Sequence, residues 1–151
     1  MTLINAYTIA EKDNIDIISF DCPESKSLSL EIGKGRYCIG IDKNIKNTAK
    51  EITYVMHELG HCKTGSFYNR YSKLDVIGKH ERRADTWAAL GLMPPEDLRK
   101  AFQDGDTEAW QLAERFNITQ EFVERAIKIY REKGCCENFK KIHREVISWL
   151  T

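Results

Sequence analysis

Apolar and polar residues alternate in short runs over the first forty-two residues. Segments 15–20, 27–32 and 36–42 read "IDIISF", "SLSLEI" and "RYCIGID", and the polar stretches "DCPESK" and "GKG" separate them. Short runs rich in β-branched and aromatic residues, bounded by turn-forming residues, are typical of β-strands. This pattern predicts a small antiparallel sheet near the N-terminus, preceded by a helix or an extended arm.

Beyond Asn47 the apolar residues recur with the helical period. The strand-like segments are thus followed by helices, and this order predicts an α+β domain in which the small sheet packs on the first of these helices. Gly65, Pro94-Pro95, Gly105 and Gly134 interrupt the pattern. The predicted helices cover 48–59, 80–92, 95–103, 106–115, 119–132 and 137–150.

The first of these helices has clear start and stop signals. Thr48 and Glu51 have the spacing of a capping box, and Gly65 can end the helix. At about 100° per residue, four apolar side chains share one face: Ile52, Val55, Met56 and Leu59. This face is expected to pack on the sheet.

The same helix carries the sequence "HELGH" at 57–61. His57 and His61 are four residues apart, so both imidazoles can reach one metal ion, and the glutamate between them, Glu58, can reach a water molecule beside that ion. The alternative is an ordinary helix whose two histidines form hydrogen bonds. The motif alone does not distinguish these interpretations.

A second segment, "HERRADTWAALGLMPPE" at 80–96, supplies a candidate third ligand. A catalytic zinc commonly has three protein ligands, and two histidines with one glutamate are a known set. Glu81 is the candidate, and Ala84 and Ala88 on the same face would let the two helices approach closely. Asp85 can then accept a hydrogen bond from a ligating histidine. Alternatively, Glu81 and Asp85 belong to a solvated charged face.

Another class of these helices continues as H-E-x-x-H-x-x-G-x-x-H. Here Thr64 replaces the glycine and Phe67 replaces the third histidine. A glutamate from the following helix is therefore favoured as the third ligand.

Together, "HELGH" and "ERRADTWAALGLMPPE" resemble the ImmA/IrrE family of zinc metallopeptidases. The resemblance implies a zincin-like fold and one Zn²⁺ per chain, bound by His57, His61 and Glu81. It also implies that Glu58 is the catalytic glutamate and that Asp85 orients a ligand. Small departures from the family pattern, at positions 87 and 91, do not affect these residues.

The resemblance further implies a regulatory, site-specific endopeptidase of bacteria, phages or mobile elements. Its expected substrate is a partner protein such as a helix-turn-helix transcriptional repressor. The alternative is a zinc-containing regulatory or toxin-antitoxin binding protein without proteolytic activity. The intact Glu58 favours the enzyme, since a purely structural zinc site needs no base next to its ligands.

Such enzymes usually need one more donor for the oxyanion of the tetrahedral intermediate. His80 and Tyr71 are candidates, together with Tyr68 and Tyr54. Sequence spacing does not choose among them.

The composition adds limits to this interpretation. With 151 residues, the chain suits a single metallopeptidase domain, with a catalytic core at 1–104 and a helical C-terminal subregion at 105–151. The 23 basic and 23 acidic residues cancel, so no net charge attracts nucleic acid or a membrane. The N-terminus does not resemble a signal peptide and no segment has the apolar length of a membrane span, which predicts a cytoplasmic protein.

The five cysteines form no C-x-x-C pair, and we expect reduced thiols. The adjacent Cys135 and Cys136 could in principle bind metal, but two loop thiols are the favoured interpretation. Cys62 is next to His61 and is expected to be buried.

Residues 106–132 predict two helices joined by "FNIT", an outline compatible with a helix-turn-helix. Residues 119–151 hold seven basic and five acidic side chains, a small excess that does not favour DNA binding. A helical surface that recognises a partner or covers the cleft is favoured instead. The apolar stripe of 137–150 predicts a helix that packs on the body or docks a partner.

Overall fold

The computed structural model describes residues 1–69 and 71–132, which form a three-stranded sheet and six helices. The predicted α+β class is confirmed. The predicted helix at 137–150, together with Cys135 and Cys136, lies outside the described residues. In chain order the elements are α1 (Leu3–Lys12), β1 (Asp16–Phe20), β2 (Ser27–Gly33), β3 (Arg36–Asp42), α2 (Thr48–Thr64), α3 (Leu74–Leu92), α4 (Pro95–Gln103), α5 (Ala109–Phe116) and α6 (Gln120–Glu132).

The sheet is mixed, so the prediction of a wholly antiparallel sheet was wrong in one pairing. β2 and β3 form an antiparallel hairpin, but β1 pairs with β3 in parallel, which gives the order β1-β3-β2. The short "GKG" turn keeps β2 and β3 adjacent. The longer connection at 21–26 carries the chain past the position of β3. As a result β2 forms one edge of the sheet.

Helix α2 has its N-cap one residue before the predicted capping box. Asn47 is the N-cap, and its side-chain oxygen accepts a hydrogen bond from the backbone N–H of Lys50 at 2.9 Å. Asparagine is a stronger N-cap than threonine, which explains why the predicted box at Thr48 does not form. The predicted stop is confirmed, because Gly65 ends the helix with φ 62° in the left-handed region.

The apolar face of α2 lies at the centre of the core. Its four predicted core residues are buried: Ile52, Val55, Met56 and Leu59. They belong to the same apolar cluster as Ile39 and Ile41 of β3, and α2 packs on both β2 and β3. Cys62 is buried at the end of this face, as predicted. Cys62, Cys22 and Cys38 are free thiols in the described part of the chain.

Helices α2 and α3 make the most extensive contact between helices in the described residues. Ala84 and Ala88 are fully buried, as expected for a close approach. On the other side of the contact is Gly60: a Cβ atom there would lie 2.4 Å from the carbonyl oxygen of Ala84. Helix α3 begins at Leu74, six residues before the predicted start, and it passes through Gly78 without interruption.

The C-terminal helices pack on this unit and extend its core. The backbone N–H of Thr119 donates to Thr53 Oγ1 of α2 at 3.2 Å, and the Tyr130 hydroxyl donates to the Met93 carbonyl at 2.8 Å. The apolar cluster runs without interruption from α1 to α6. Within residues 1–69 and 71–132, no helix combines the length and the apolar composition needed to cross a bilayer.

Candidate metal centre

Three predicted ligands come together where α2 faces α3. The Nε2 atoms of His57 and His61 are 3.1 Å apart. The two carboxylate oxygens of Glu81 lie 3.2 Å from them, Oε2 from His57 Nε2 and Oε1 from His61 Nε2. Among the described residues, these three side chains form the one group whose ligand atoms could hold a metal ion, all within 4.8 Å of one another.

The spacing of these atoms fits a small divalent ion. Ligands bound tetrahedrally to zinc at about 2.0–2.1 Å are separated from one another by about 3.3 Å. The two Nε2 atoms are 3.1 Å apart and each is 3.2 Å from one Glu81 oxygen, close to that value, and one ligand atom from each residue gives separations within 4.8 Å. Two imidazoles and one carboxylate also form a donor set that transition metals accept. The residues present therefore fit a bound metal.

The other nitrogen of each imidazole is held by a hydrogen bond. His57 Nδ1 lies 2.8 Å from Asp85 Oδ1, which is the contact expected from the sequence. His61 Nδ1 lies 2.6 Å from the carbonyl oxygen of Ser66. Because a carbonyl only accepts, His61 Nδ1 is the donor in this contact, and Nε2 is the atom that can ligate a metal ion. Sequence reasoning missed Ser66, whose position follows from the turn at Gly65.

The charges at the cluster attract cations. Burial disfavours a charged imidazole, but the hydrogen bonds to Asp85 and Glu81 and the nearby charges of Asp85 and Glu58 raise the pKa of His57 to about 10. Burial likewise opposes ionisation of Glu81, yet hydrogen bonds from His57, His61 and Tyr68 hold its pKa well below the usual value. In the metal-free protein these negative charges therefore stabilise a proton on His57. The same charges would stabilise a metal ion in its place.

Glu58 lies beside the ligands and is buried. Its Oε1 atom accepts a hydrogen bond of 2.7 Å from the hydroxyl of Ser27, the first residue of β2. This bond connects the candidate base to the edge of the sheet. No pattern in the sequence indicates it, because the two residues are 31 positions apart.

A cleft of about 480 Å³ opens over the cluster. Helix α2 contributes the two histidines and Glu58 to its lining, and the edge strand β2 also borders it. Glu81 of α3, one residue of α6 and residues of the loops before β2 and after α2 also line it. The residues contributed by β2 are Ser27, Leu28, Ser29 and Leu30.

The four candidate oxyanion donors occupy different places. Tyr68 and Tyr54 line the cleft, and the Tyr68 hydroxyl donates to Glu81 Oε1 at 2.6 Å. Tyr71 is 79% exposed and does not line the cleft. His80 does not line it either; its ring centroid is 6.4 Å from that of Tyr68, and its buried Nδ1 has no hydrogen-bond partner among the described residues.

One further cleft residue was not predicted. Arg125 of α6 lines the cleft, and its Nε atom is 3.3 Å from Asp85 Oδ2. It is 40 residues after Asp85 in the sequence, and the helical pattern around it gives no indication of this contact. Asp85 therefore lies between a histidine of the cluster and an arginine.

Comparison with known proteins agrees with the geometry. Residues 10–128 match the family model described as Peptidase M78, IrrE N-terminal-like domain. Neither the curated proteins nor the solved structures gave a significant match. The matched range includes the sheet, both helices of the cluster and most of α6. The chain therefore belongs to the Peptidase M78 family of IrrE N-terminal-like domains.

Proposed function

We propose that the protein is a zinc-dependent endopeptidase that binds one zinc ion per chain at His57, His61 and Glu81. The observation that carries this proposal is the juxtaposition of three ligand atoms within 4.8 Å and the carboxylate of Glu58 in one cleft. The family is that of a peptidase, and the donor set suits zinc. A cytoplasmic location stays a prediction.

When bound, zinc supplies Lewis-acid chemistry that polarises a carbonyl group and acidifies water. The protein supplies the proton transfers. We assign to Glu58 the role of general base, which takes a proton from the attacking water and later delivers it to the leaving amine. The Ser27 hydroxyl holds one oxygen of Glu58 in place, so the other oxygen can serve the reaction.

We assign oxyanion stabilisation to Tyr68 rather than to Tyr71 or His80. Its hydroxyl contacts the ligand Glu81, and its ring centroid is 6.0 Å from that of His61. Burial and the bonded charge of Glu81 raise the pKa of Tyr68, so the phenol remains a hydrogen-bond donor at neutral pH. The Tyr68→Phe variant should lose turnover while keeping its metal.

The proposed substrate is an extended segment of a partner protein. β2 is an edge strand, and it borders the cleft over Ser27 to Leu30. Edge strands bind extended peptides through backbone hydrogen bonds, and such binding would place the peptide beside Glu58. The resemblance noted in the sequence suggests a helix-turn-helix transcriptional repressor as that partner.

Zinc content and cleavage test the proposal together. Purified wild-type protein, His57→Ala and Glu58→Gln would be dialysed with zinc and assayed for metal by elemental analysis. Each would then be incubated with a protein mixture whose new N-termini are identified by mass spectrometry. We expect one equivalent of zinc in wild type and Glu58→Gln, much less in His57→Ala, and new N-termini with wild type alone.

The remaining outcomes separate the alternatives. Zinc in wild type without any cleavage, even with a candidate repressor as substrate, would favour the non-proteolytic regulatory protein. Absence of zinc after supplementation would refute the metallopeptidase. Equal cleavage by wild type and Glu58→Gln would refute the role of Glu58 as base.

A further inference from the structure

We propose that Arg125 binds a carboxylate group of the substrate, so that the enzyme selects peptides with an acidic group near the scissile bond. This inference rests on the proposed peptidase function and adds a substrate class to it. It assigns a role to the α6 helix, which contributes none of the ligand atoms.

Arg125 contributes a permanent positive charge to the cleft. Of the residues that line the cleft in the described chain, it is the one lysine or arginine. The carboxylates there already have partners: Glu81 bonds to the histidines and Tyr68, and Glu58 bonds to Ser27. An incoming carboxylate would therefore find its favourable charge at Arg125.

Two contacts hold the guanidinium in place. Its Nε atom is 3.3 Å from Asp85 Oδ2, and its central carbon lies 5.4 Å from the centroid of the buried Phe122 ring. Stacking on an aromatic ring and an ion pair both restrict the side chain before any ligand binds. Restriction in advance lowers the entropic cost of binding.

These contacts leave the terminal nitrogens available. The ion pair with Asp85 involves Nε, and among the described residues neither terminal nitrogen has a hydrogen bond or an ion pair with another residue. The side chain is 53% exposed, and the residue lines the cleft. Two terminal N–H groups of a guanidinium match the two oxygens of a carboxylate.

In a peptide substrate, a carboxylate can come from an Asp or Glu side chain or from the C-terminus. Both present the same group to Arg125. A C-terminal carboxylate would require cleavage near the end of a chain, whereas a side chain allows cleavage within it. Peptides with free and with amidated C-termini distinguish these two sources.

The test measures binding and does not depend on turnover. The probes are short peptide hydroxamates, whose hydroxamate group binds zinc. One series extends from the zinc to one side of the cleft, and the second series extends to the other side. Each series contains a Glu peptide and an otherwise identical Gln peptide. Affinity for the zinc-loaded protein is measured by calorimetry. The proteins are wild type, Arg125→Ala, Arg125→Glu and, as a matched control, Lys128→Ala, which removes an exposed cation from the same helix.

We expect wild type to bind the Glu peptide of one series about tenfold more tightly than its Gln partner, an order typical of one charge-assisted hydrogen-bonded pair. The preference should disappear in Arg125→Ala, reverse in favour of the Gln peptide in Arg125→Glu, and persist in Lys128→Ala. Each peptide is also made with a free and an amidated C-terminus. If only the free form is preferred, the bound group is the C-terminal carboxylate.

Two results would overturn the inference while leaving the peptidase intact. One is equal affinity of wild type for Glu and Gln in both series, together with equal affinity for free and amidated C-termini. The other is an equal loss of affinity in Arg125→Ala for all the peptides, Glu or Gln and free or amidated, which would mean that Arg125 acts only on Asp85. Failure of zinc-loaded wild type to bind any hydroxamate would instead count against the proposed function. Circular dichroism of each variant confirms that it is folded.

Discussion

Substitution of Gly60 by alanine tests whether the close contact between α2 and α3 sets the geometry of the metal ligands. A Cβ atom at Gly60 would lie 2.4 Å from the Ala84 carbonyl oxygen. An ordinary contact between carbon and a carbonyl oxygen is about 3.3 Å or more, so the helices must separate by about 0.9 Å. Ala84 is one helical turn from Glu81, so the Glu81 carboxylate moves with it.

The expected energies follow from two opposing effects. Alanine in place of glycine inside a helix stabilises it by about 1 kcal/mol. Overpacking of a close contact costs about 1–3 kcal/mol. Gly60→Ala should therefore be neutral to destabilising by about 2 kcal/mol. Metal sites tolerate ligand displacements of about 0.2 Å, so zinc affinity should fall about tenfold or more.

Two other helical glycines provide matched controls. A Cβ atom added at Gly78 of α3 would meet no other atom within 4 Å, so Gly78→Ala should show the stabilisation alone. At Gly91 the Cβ would meet the flexible end of Met56 at 2.8 Å, and an intermediate effect is expected. The assays are urea denaturation of the chelated proteins and competition for zinc with a chromophoric chelator. If Gly60→Ala and Gly78→Ala matched wild-type zinc affinity and gained stability equally, the helix contact would not position Glu81.

Three further predictions concern the cluster itself. Asp85→Asn should weaken zinc binding about 10–100-fold, because the charge that orients His57 is lost. As a control, Asp75→Asn on the exposed first turn of α3 should leave zinc affinity unchanged. Chelator competition measures both variants, and equal zinc affinities would contradict the role of Asp85. Ser27→Ala should lower the cleavage rate without changing zinc content, since it removes the hydrogen bond to Glu58; an unchanged rate would show that this bond is not needed. The pKa of His57, raised to about 10, means that zinc must displace a proton below that pH. Apparent zinc affinity should therefore rise about tenfold per pH unit from about pH 7 and level off near pH 10, and a flat profile would contradict this.

The parts of the site that depend on one helix were accessible from the sequence. The spacing of His57, Glu58 and His61 on α2 is a property of the helical repeat alone. Glu81 needed one more step, because small residues in the next helix suggested a close approach. The sequence did not reveal Gly60 as the other half of that contact, although it stands within the motif.

Contacts between distant segments were not accessible in this way. Ser27 and Arg125 approach the cluster from β2 and α6, and ordinary strand and helix patterns contain them. The order of the strands was also missed, since local alternation marks a strand without specifying its neighbours. Among four candidate oxyanion donors, only the folded chain shows that Tyr68 and Tyr54 line the cleft.

The hydrogen bond from Thr119 to Thr53 and the contact of Arg125 with Asp85 join the end of the described chain to its middle. A shortened protein ending near residue 104 would retain every ligand atom but lose the helix that covers one side of Asp85. It would also expose the apolar surface that Phe122 and its neighbours cover. Under the role proposed for Arg125, exchange of this helical segment between related proteins would transfer substrate preference, and the residues of the metal cluster would remain behind.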